Sequence, residues 1–368
     1  MAIHNVPPDS NGAREAATAR RSQPLLLMVT VDVETTNLEG GTLERDIWGE
    51  VSDTSERQGI TKIMDVFDRH GLKATFFVNV YEAATLGEEA MADVCRCIVA
   101  RGHDLELHTH PQPMFGVRAA CDADLEKQTE ILRTGVEMIR RWTAETVVAH
   151  RAGGYRGNYD TLTACRNVGL ALDFSHNWCY HSEGFSHPPL TVNRAVLYDG
   201  VFCVPVTNYV QIRIGNWRSL RTLDIESCSH EEIRRVLSGL HRQGVRTAVI
   251  MMHSFSFVRR GALYGTLNSR VERVLDELLR HARASPHVRV VSARELYGVL
   301  QKNPDALMGS DGLPTTGWWL MYCRAWQRLG EGWKNAAVAL MPLAAVLVVV
   351  AAIVCMIVFG IHGMGFLM

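Results

Sequence analysis

Residues 25–34 read Leu-Leu-Leu-Met-Val-Thr-Val-Asp-Val-Glu, an apolar run that closes on two acids. Its apolar, β-branched content predicts a strand over Leu25–Val31 with Asp32 and Glu34 at its carboxyl end. Seven further runs read the same way: Ala74–Val80, Asp104–Leu107, Thr146–Ala149, Ala171–Phe174, Val201–Val206, Thr247–Met252 and Val288–Val291. Between several of them lie helical patterns, at Ile60–His70, Glu88–Arg101, Asp122–Trp142, Asp160–Val168, Glu231–Arg242 and Arg270–Ala284. Helix ends are marked where a basic last turn precedes glycine, as at Arg69-His70-Gly71 and Arg101-Gly102. Repeated strand–helix units imply a mostly parallel sheet. Seven or eight such units fit an α/β fold of the closed or partly closed (β/α) barrel type better than an open doubly wound sheet. No GxGxxG follows the first strand and no GxxxxGK followed by Ser or Thr occurs, so nucleotide binding loses its main support.

Four polar segments each close an apolar run: Asp32-Val33-Glu34, His108-Thr109-His110, Arg151 and His253. The carboxyl ends of strands are where α/β folds gather active-site residues. Asp32 and Glu34 are two apart, so both side chains leave the same face. One carboxylate can then bind a cation while the other accepts a proton from water, although a polar strand end in solvent would look the same. His108 and His110 share this spacing, and two imidazoles with a carboxylate from another strand form a ligand set with open positions for water and substrate. That set suits zinc or another divalent metal, and points to a metal-dependent hydrolase. Arg151 begins Arg-Ala-Gly-Gly-Tyr, a small-residue turn whose N–H groups can face a developing oxyanion. His253 can protonate a leaving amine. The blander readings are a surface ion pair for Arg151 and a backbone-capped ring for His253.

The chain has 368 residues, with 38 Lys and Arg against 39 Asp and Glu, so no global field recruits nucleic acid. Its nine cysteines are scattered without a CxxC pair and are expected to be buried thiols in a reducing compartment. Residues 1–24 read as a disordered lead without the apolar core of a secretory signal. The uncharged stretch Ala336–Ile361 is long enough, at about 1.5 Å per residue, to cross a hydrocarbon layer of roughly 30 Å as a transmembrane helix. Arg324, Arg328 and Lys334 precede it and only His362 follows, which places the body, residues 25–303, on the cytoplasmic side of the inner membrane, with a short tail at 362–368. In the intervening segment, 304–335, Trp319, Trp326 and Trp333 recur every seven residues with Tyr322 and Leu329 on the same face. Such a face suits a helix in the headgroup zone, or one packed on a protein partner.

Thr-Val-Asp-Val-Glu, Gly-His-Asp-Leu-Glu-Leu-His-Thr-His-Pro, His-Arg-Ala-Gly-Gly-Tyr and Ile-Met-Met-His-Ser, in this order over residues 25–300, resemble the successive motifs of the polysaccharide deacetylases, the NodB-homology carbohydrate esterases. The resemblance implies a distorted (β/α) barrel that removes N- or O-acetyl groups from sugars with a divalent metal, usually zinc. It implies Asp32 as general base, Glu34 and His108 as metal ligands, Arg151 as the residue orienting the base, and His253 as general acid. Asp173, in Leu-Asp-Phe-Ser, resembles a later motif whose acid sits near the catalytic set. The chain departs from the family pattern at three places. Gln112 stands four residues after His108, where the second metal histidine is usual, leaving His110 as the substitute. Asp-Val-Glu replaces adjacent aspartates, and Arg-Ala-Gly-Gly replaces Arg-Pro-Pro.

With the body held on the cytoplasmic face, the expected partner is an amino-sugar glycan or lipid-linked oligosaccharide carrying an N-acetyl or N-formyl group, with membrane lipid around the C-terminal helix. Two alternatives keep the fold: a hydrolase of a non-sugar amide, and a catalytically silent barrel that binds glycan.

Overall fold

The computed structural model describes residues 23–36, 40–180, 190–259, 265–307 and 309–327, together with Leu340 and Val350. Its strands are β1 (Leu25–Val33), β2 (Thr75–Asn79), β3 (Asp104–Thr109), β4 (Ala149–Ala152), β5 (Leu172–Asp173), β6 (Val196–Tyr198), β7 (Val201–Cys203), β8 (Asn208–Ile214), β9 (Trp217–Thr222), β10 (Thr247–His253) and β11 (Val288–Val290). The longer helices are α1 (Ile60–Arg69), α2 (Glu88–Ala100), α3 (Leu125–Thr143), α4 (Tyr159–Asn167), α5 (His230–Arg242), α6 (Ser269–Ala284), α7 (Ala293–Lys302) and α8 (Trp318–Gln327). Side-chain caps set several helix starts: Asp124 accepts from Lys127 N, Asn158 from Thr161 N, Ser229 from Glu232 N and Ser292 from Glu295 N.

The main sheet runs in the order β10-β1-β2-β3-β4-β5-β7-β6, parallel except for the edge strand β6, while β11 pairs with Leu25–Leu27 of β1. Alternation divides β1 between two cores. Leu25, Leu27, Val29, Val31 and Val33 pack with the helices, whereas Leu26 and Met28 face inward with Phe77, Phe174, Val206 and Val249. The ends of the sheet approach each other without forming a ladder. Val204 N and Val206 N still bond along β5 to Asp173 O and His176 O, both at 2.8 Å. Thr207 then meets β10, donating its N–H to Val249 O at 3.1 Å and accepting Val249 N on its hydroxyl at 2.8 Å. The expected α/β architecture is present as a curled, mostly parallel sheet, with isolated contacts at Thr207 and Asp224–Ile225 instead of a ladder where a regular barrel would be closed.

Two expectations move. The fourth strand is Ala149–Ala152, not Thr146–Ala149, because Glu106 Oε2 already takes Val148 N at 2.8 Å and Ala149 N at 2.7 Å. Arg151 is therefore inside a strand, and the turn begins at Gly153. One compact unit ends at Thr316, past the expected boundary at 303, since Pro314 O accepts Val210 N at 2.8 Å and Thr316 N donates to Val210 O at 3.0 Å. The second unit, Gly317–Met368, contains α8, where Tyr322 lies 5.6 Å from Trp319 and 6.4 Å from Trp326 by ring centroid, while Leu329 of the expected aromatic face lies outside the described residues. Trp319 and Trp326 are exposed. The lead over residues 1–22, Trp333 and the expected span Ala336–Ile361, except Leu340 and Val350, lie outside the described residues. Among the described residues, no helix is long and apolar enough to cross a membrane, and the eight described cysteines are free thiols.

Candidate active site

Parallel register brings the polar strand ends to one place. Asp32 pairs in register with His253, Asn79 with His108, and His108 with Arg151, so these side chains share the inner face at the carboxyl ends of β1, β10, β2, β3 and β4. Glu34, two residues after Asp32, is the hub. Its Oε2 lies 2.7 Å from His110 Nε2 and 3.2 Å from His108 Nε2, and its Oε1 lies 3.7 Å from His253 Nε2. Burial would raise the Glu34 carboxyl, but the His110 and His108 imidazoles hold it well below the usual carboxylate range. The same carboxylate raises His110 against the opposing effect of burial.

His108 indicates what this cluster can hold. Its Nδ1 lies 2.9 Å from Arg151 O, and a carbonyl only accepts, so the ring hydrogen is assigned to Nδ1. In the neutral ring, Nε2 then presents a lone pair to the Glu34 carboxylate, and two acceptors face each other across 3.2 Å. The contact is favourable only with a proton or a cation between them. His110 Nε2 is also buried without an aligned hydrogen-bond partner. The ligand atoms of Glu34, His108 and His110 all lie within 4.8 Å of one another, a donor set that fits a divalent cation with two imidazoles and one carboxylate. Gln112 opens a short helical turn, Gln112–Phe115, and is exposed, so His110 is the second histidine at the hub.

Beside the hub, the fully buried Arg151 donates from Nη1 to Asp32 Oδ1 at 2.6 Å. Its guanidinium lies over the Phe77 ring at 4.5 Å, which holds the fork flat against an apolar floor. His253 Nδ1 meets Glu226 Oε1 at 2.6 Å, and Ser256 Oγ donates to the same oxygen at 2.7 Å while accepting His253 N at 2.8 Å. Burial would lower the His253 pKa, but Glu226, with Glu34 and Asp32 farther off, lifts it to about 9.

Asp173 is not part of this group. His150 pairs in register with Asp173 and with Leu107, one residue out of phase with His108 and Arg151, so alternation turns it to the opposite face. There its Oδ2 lies 2.8 Å from His150 Nδ1 and accepts Ser175 Oγ at 2.7 Å in a fully buried network.

The acid that meets the catalytic end is Glu226, which the sequence reading missed. It lies in an irregular segment with no strand pattern, and the bridge Asp224↔Met251, with Ile225 N donating to Met251 O at 3.1 Å, places it beside His253. Asn79 and Glu82 were missed as well, although Asn79 ends β2 and Glu82 follows the apolar run there. Asn79 Oδ1 accepts His110 N at 3.1 Å. Glu82 accepts Thr35 N at 3.0 Å and Thr35 Oγ1 at 2.7 Å, anchoring the chain just after Glu34. Burial pushes the Glu82 carboxyl up despite those bonds.

Residues 44–172 match the family model described as polysaccharide deacetylase. No curated protein matches the chain. Among solved structures, the chain is similar to a Mycobacterium smegmatis protein provisionally named a polysaccharide deacetylase, at 15% identity and TM-score 0.51, covering 82% of this chain and 95% of that one. It is also similar to a family 4 carbohydrate esterase from Streptomyces lividans, at 11% identity and TM-score 0.39, covering 73% and 91%. A 4-alpha-glucanotransferase from Thermococcus litoralis is similar at 10% identity and TM-score 0.48, covering 80% and 41%. His108, His110 and Arg151 fall within the matched segment, while Asp32, Glu34 and His253 reach the same face from β1 and β10. Residues 44–172 thus match the polysaccharide deacetylase model, and the chain is a hydrolase acting on carbon–nitrogen amide bonds.

Proposed function

We propose that the protein is a metal-dependent deacetylase that removes an N-acetyl or N-formyl group from an amino sugar of a membrane-associated glycan or glycolipid. The observation that carries the metal requirement is the His108 ring, whose Nδ1 is committed to Arg151 O while Nε2 faces Glu34. Glu34, His108 and His110 would hold the cation, for which zinc suits the mixed nitrogen and oxygen donors. When bound, it supplies a Lewis acid and lowers the pKa of water.

The remaining residues divide the proton work. Asp32, oriented by Arg151 at 2.6 Å, takes the proton of the attacking water as general base. His253, charged through Glu226, gives its Nε2 proton to the departing sugar amine. Backbone N–H groups of the turn after Arg151 offer donors to the oxyanion. Water and amide become acetate and free amine. Asp32→Asn, His108→Ala and His253→Ala should each abolish most acetate release from an N-acetylated oligosaccharide, and near-normal activity in all three excludes this assignment. The membrane anchor at Ala336–Ile361 and the cytoplasmic orientation belong to the same reading, supported by hydropathy and flanking charge alone. Reporter fusions at the two termini test them, and an exported N-terminal domain would redirect the substrate to an exported polysaccharide.

A further inference from the structure

We propose that Gly153 is a positioning residue for His110: the absent side chain at 153 leaves the space in which the His110 imidazole stands against Glu34. This rests on the cation centre proposed above. The turn after Arg151 contains two glycines, and the structure gives them different reasons. Gly154 has φ 58°, in the left-handed region, and a Cβ there would meet nothing nearer than Arg156 Cγ at 3.9 Å. Gly154 therefore serves the backbone. Gly153 is not among the positive-φ glycines, so its backbone alone would admit a side chain. A Cβ on Gly153 would lie 2.4 Å from His110 Cε1, 2.4 Å from Nε2 and 2.5 Å from Cδ2. Three ring atoms at nearly equal distance mean that a Cβ on Gly153 would project onto the face of the imidazole.

The other sides of that ring are also defined. Asn79 Oδ1 accepts the His110 backbone N–H at 3.1 Å, and the His108 ring meets it edge-on at 4.9 Å between centroids. Its tip reaches Glu34 Oε2 at 2.7 Å. A methyl group at 153 therefore conflicts with a side chain that has two rotatable bonds, not with backbone. The His110 side chain is 31% exposed, so solvent lies open for the ring to swing into. The expected response is a folded protein in which His110 has left the hub. The two departures of this chain, a histidine at 110 and a glycine at 153 within Arg-Ala-Gly-Gly, are then one arrangement, because the ring at 110 requires the missing Cβ at 153.

The test is equilibrium affinity of the full chain for Zn2+ and Co2+ by chelator competition, with thermal unfolding measured in parallel. Gly153→Ala is expected to weaken both metals by about 10–100-fold, the range seen when a ligand's supporting partner is removed, with unfolding little changed. His110→Ala should weaken them at least as much, and adding Gly153→Ala to it should cost nothing more. Gly154→Ala should keep metal affinity while losing stability through backbone strain. Affinity within twofold of wild type in Gly153→Ala overturns the inference. So does an equal loss from Gly153→Ala in the presence and absence of His110, or a loss of affinity in Gly154→Ala as large as in Gly153→Ala. A wild-type chain that binds neither metal overturns the cation centre and this inference together.

Discussion

Glu226→Gln isolates the support of the general acid. The 2.6 Å contact between Glu226 Oε1 and His253 Nδ1 is charge-assisted, a class that contributes about 1.5–3 kcal/mol. Glutamine keeps the shape and an oxygen that accepts from Ser256, so what is lost is the charge. If the bond strengthens as His253 holds its proton in the transition state, kcat should fall about 10- to 150-fold with little change in KM. The sign with pH follows from the direction of the shift. Because Glu226 and its neighbours raise His253 to about 9, the wild-type ring is protonated below that pH and competent as an acid, and activity declines as pH rises through about 9. Without the carboxylate, the decline should move toward the ordinary histidine range near about 6.5. Acetate release from an N-acetylglucosamine oligosaccharide, measured from neutral to alkaline pH, reads both effects. A variant within twofold of wild type at every pH, with the alkaline decline unmoved, would refute the role assigned to Glu226.

Three stability predictions test the scaffold. Burial, with Lys73 adding to it, lowers His103 to about 4 while Asp68 opposes, so the fold binds fewer protons than the unfolded chain between that value and about 6.5. That contribution, up to about 3 kcal/mol, is complete above about pH 6.5 and lost as pH falls toward about 4. Urea midpoints of His103→Asn should show a flatter slope there, and parallel slopes would contradict the explanation. Gly135 in α3 has no room for a Cβ, which would lie 2.5 Å from Tyr81 Oη and 2.6 Å from Leu107 Cδ1. Gly135→Ala should destabilise by about 1–3 kcal/mol despite its gain in helix propensity, and a raised Tm would refute this packing. Thr207→Val leaves Val249 N without its hydroxyl acceptor, for a cost of about 1–3 kcal/mol by denaturant unfolding. An unchanged midpoint would mean that this junction does not help to hold the sheet ends together.

The parallel strands were legible because each is an apolar run, and the helices because their apolar stripes recur at helical spacing. β4 was misplaced by three residues at its start because His150 and Arg151 are polar yet buried, a state that only partners in other strands make tolerable. Strand β7 falls within the expected run Val201–Val206, but β6, α7 and the β8–β9 hairpin were not foreseen; in the hairpin, the outer half of β8 and all of β9 are too exposed to carry a core signature. At the site, the register of β1, β2 and β3 was enough to bring the strand ends together, and Glu34 and His110, each one residue past its strand, meet His108 there. Asp173 and Glu226 show the limit. Which face an acid takes, and which loop reaches β10, depend on pairing between distant segments, and a single sequence does not record it.

The two walls of the cleft differ in construction. The wall bearing Glu34, His108 and Arg151 is woven from adjoining ladders, where adding or deleting one residue would turn every following side chain to the wrong face. His253 stands on β10, which is laddered to β1 along one edge but bonded along the other at Thr207 and at Asp224–Ile225, and the chain between those two contacts leaves the main sheet as the β8–β9 hairpin. Changes of length there disturb no register. Divergence among related chains in the shape of substrate they admit should therefore accumulate in that hairpin and its flanks, while the side bearing Glu34 and His108 stays fixed in geometry.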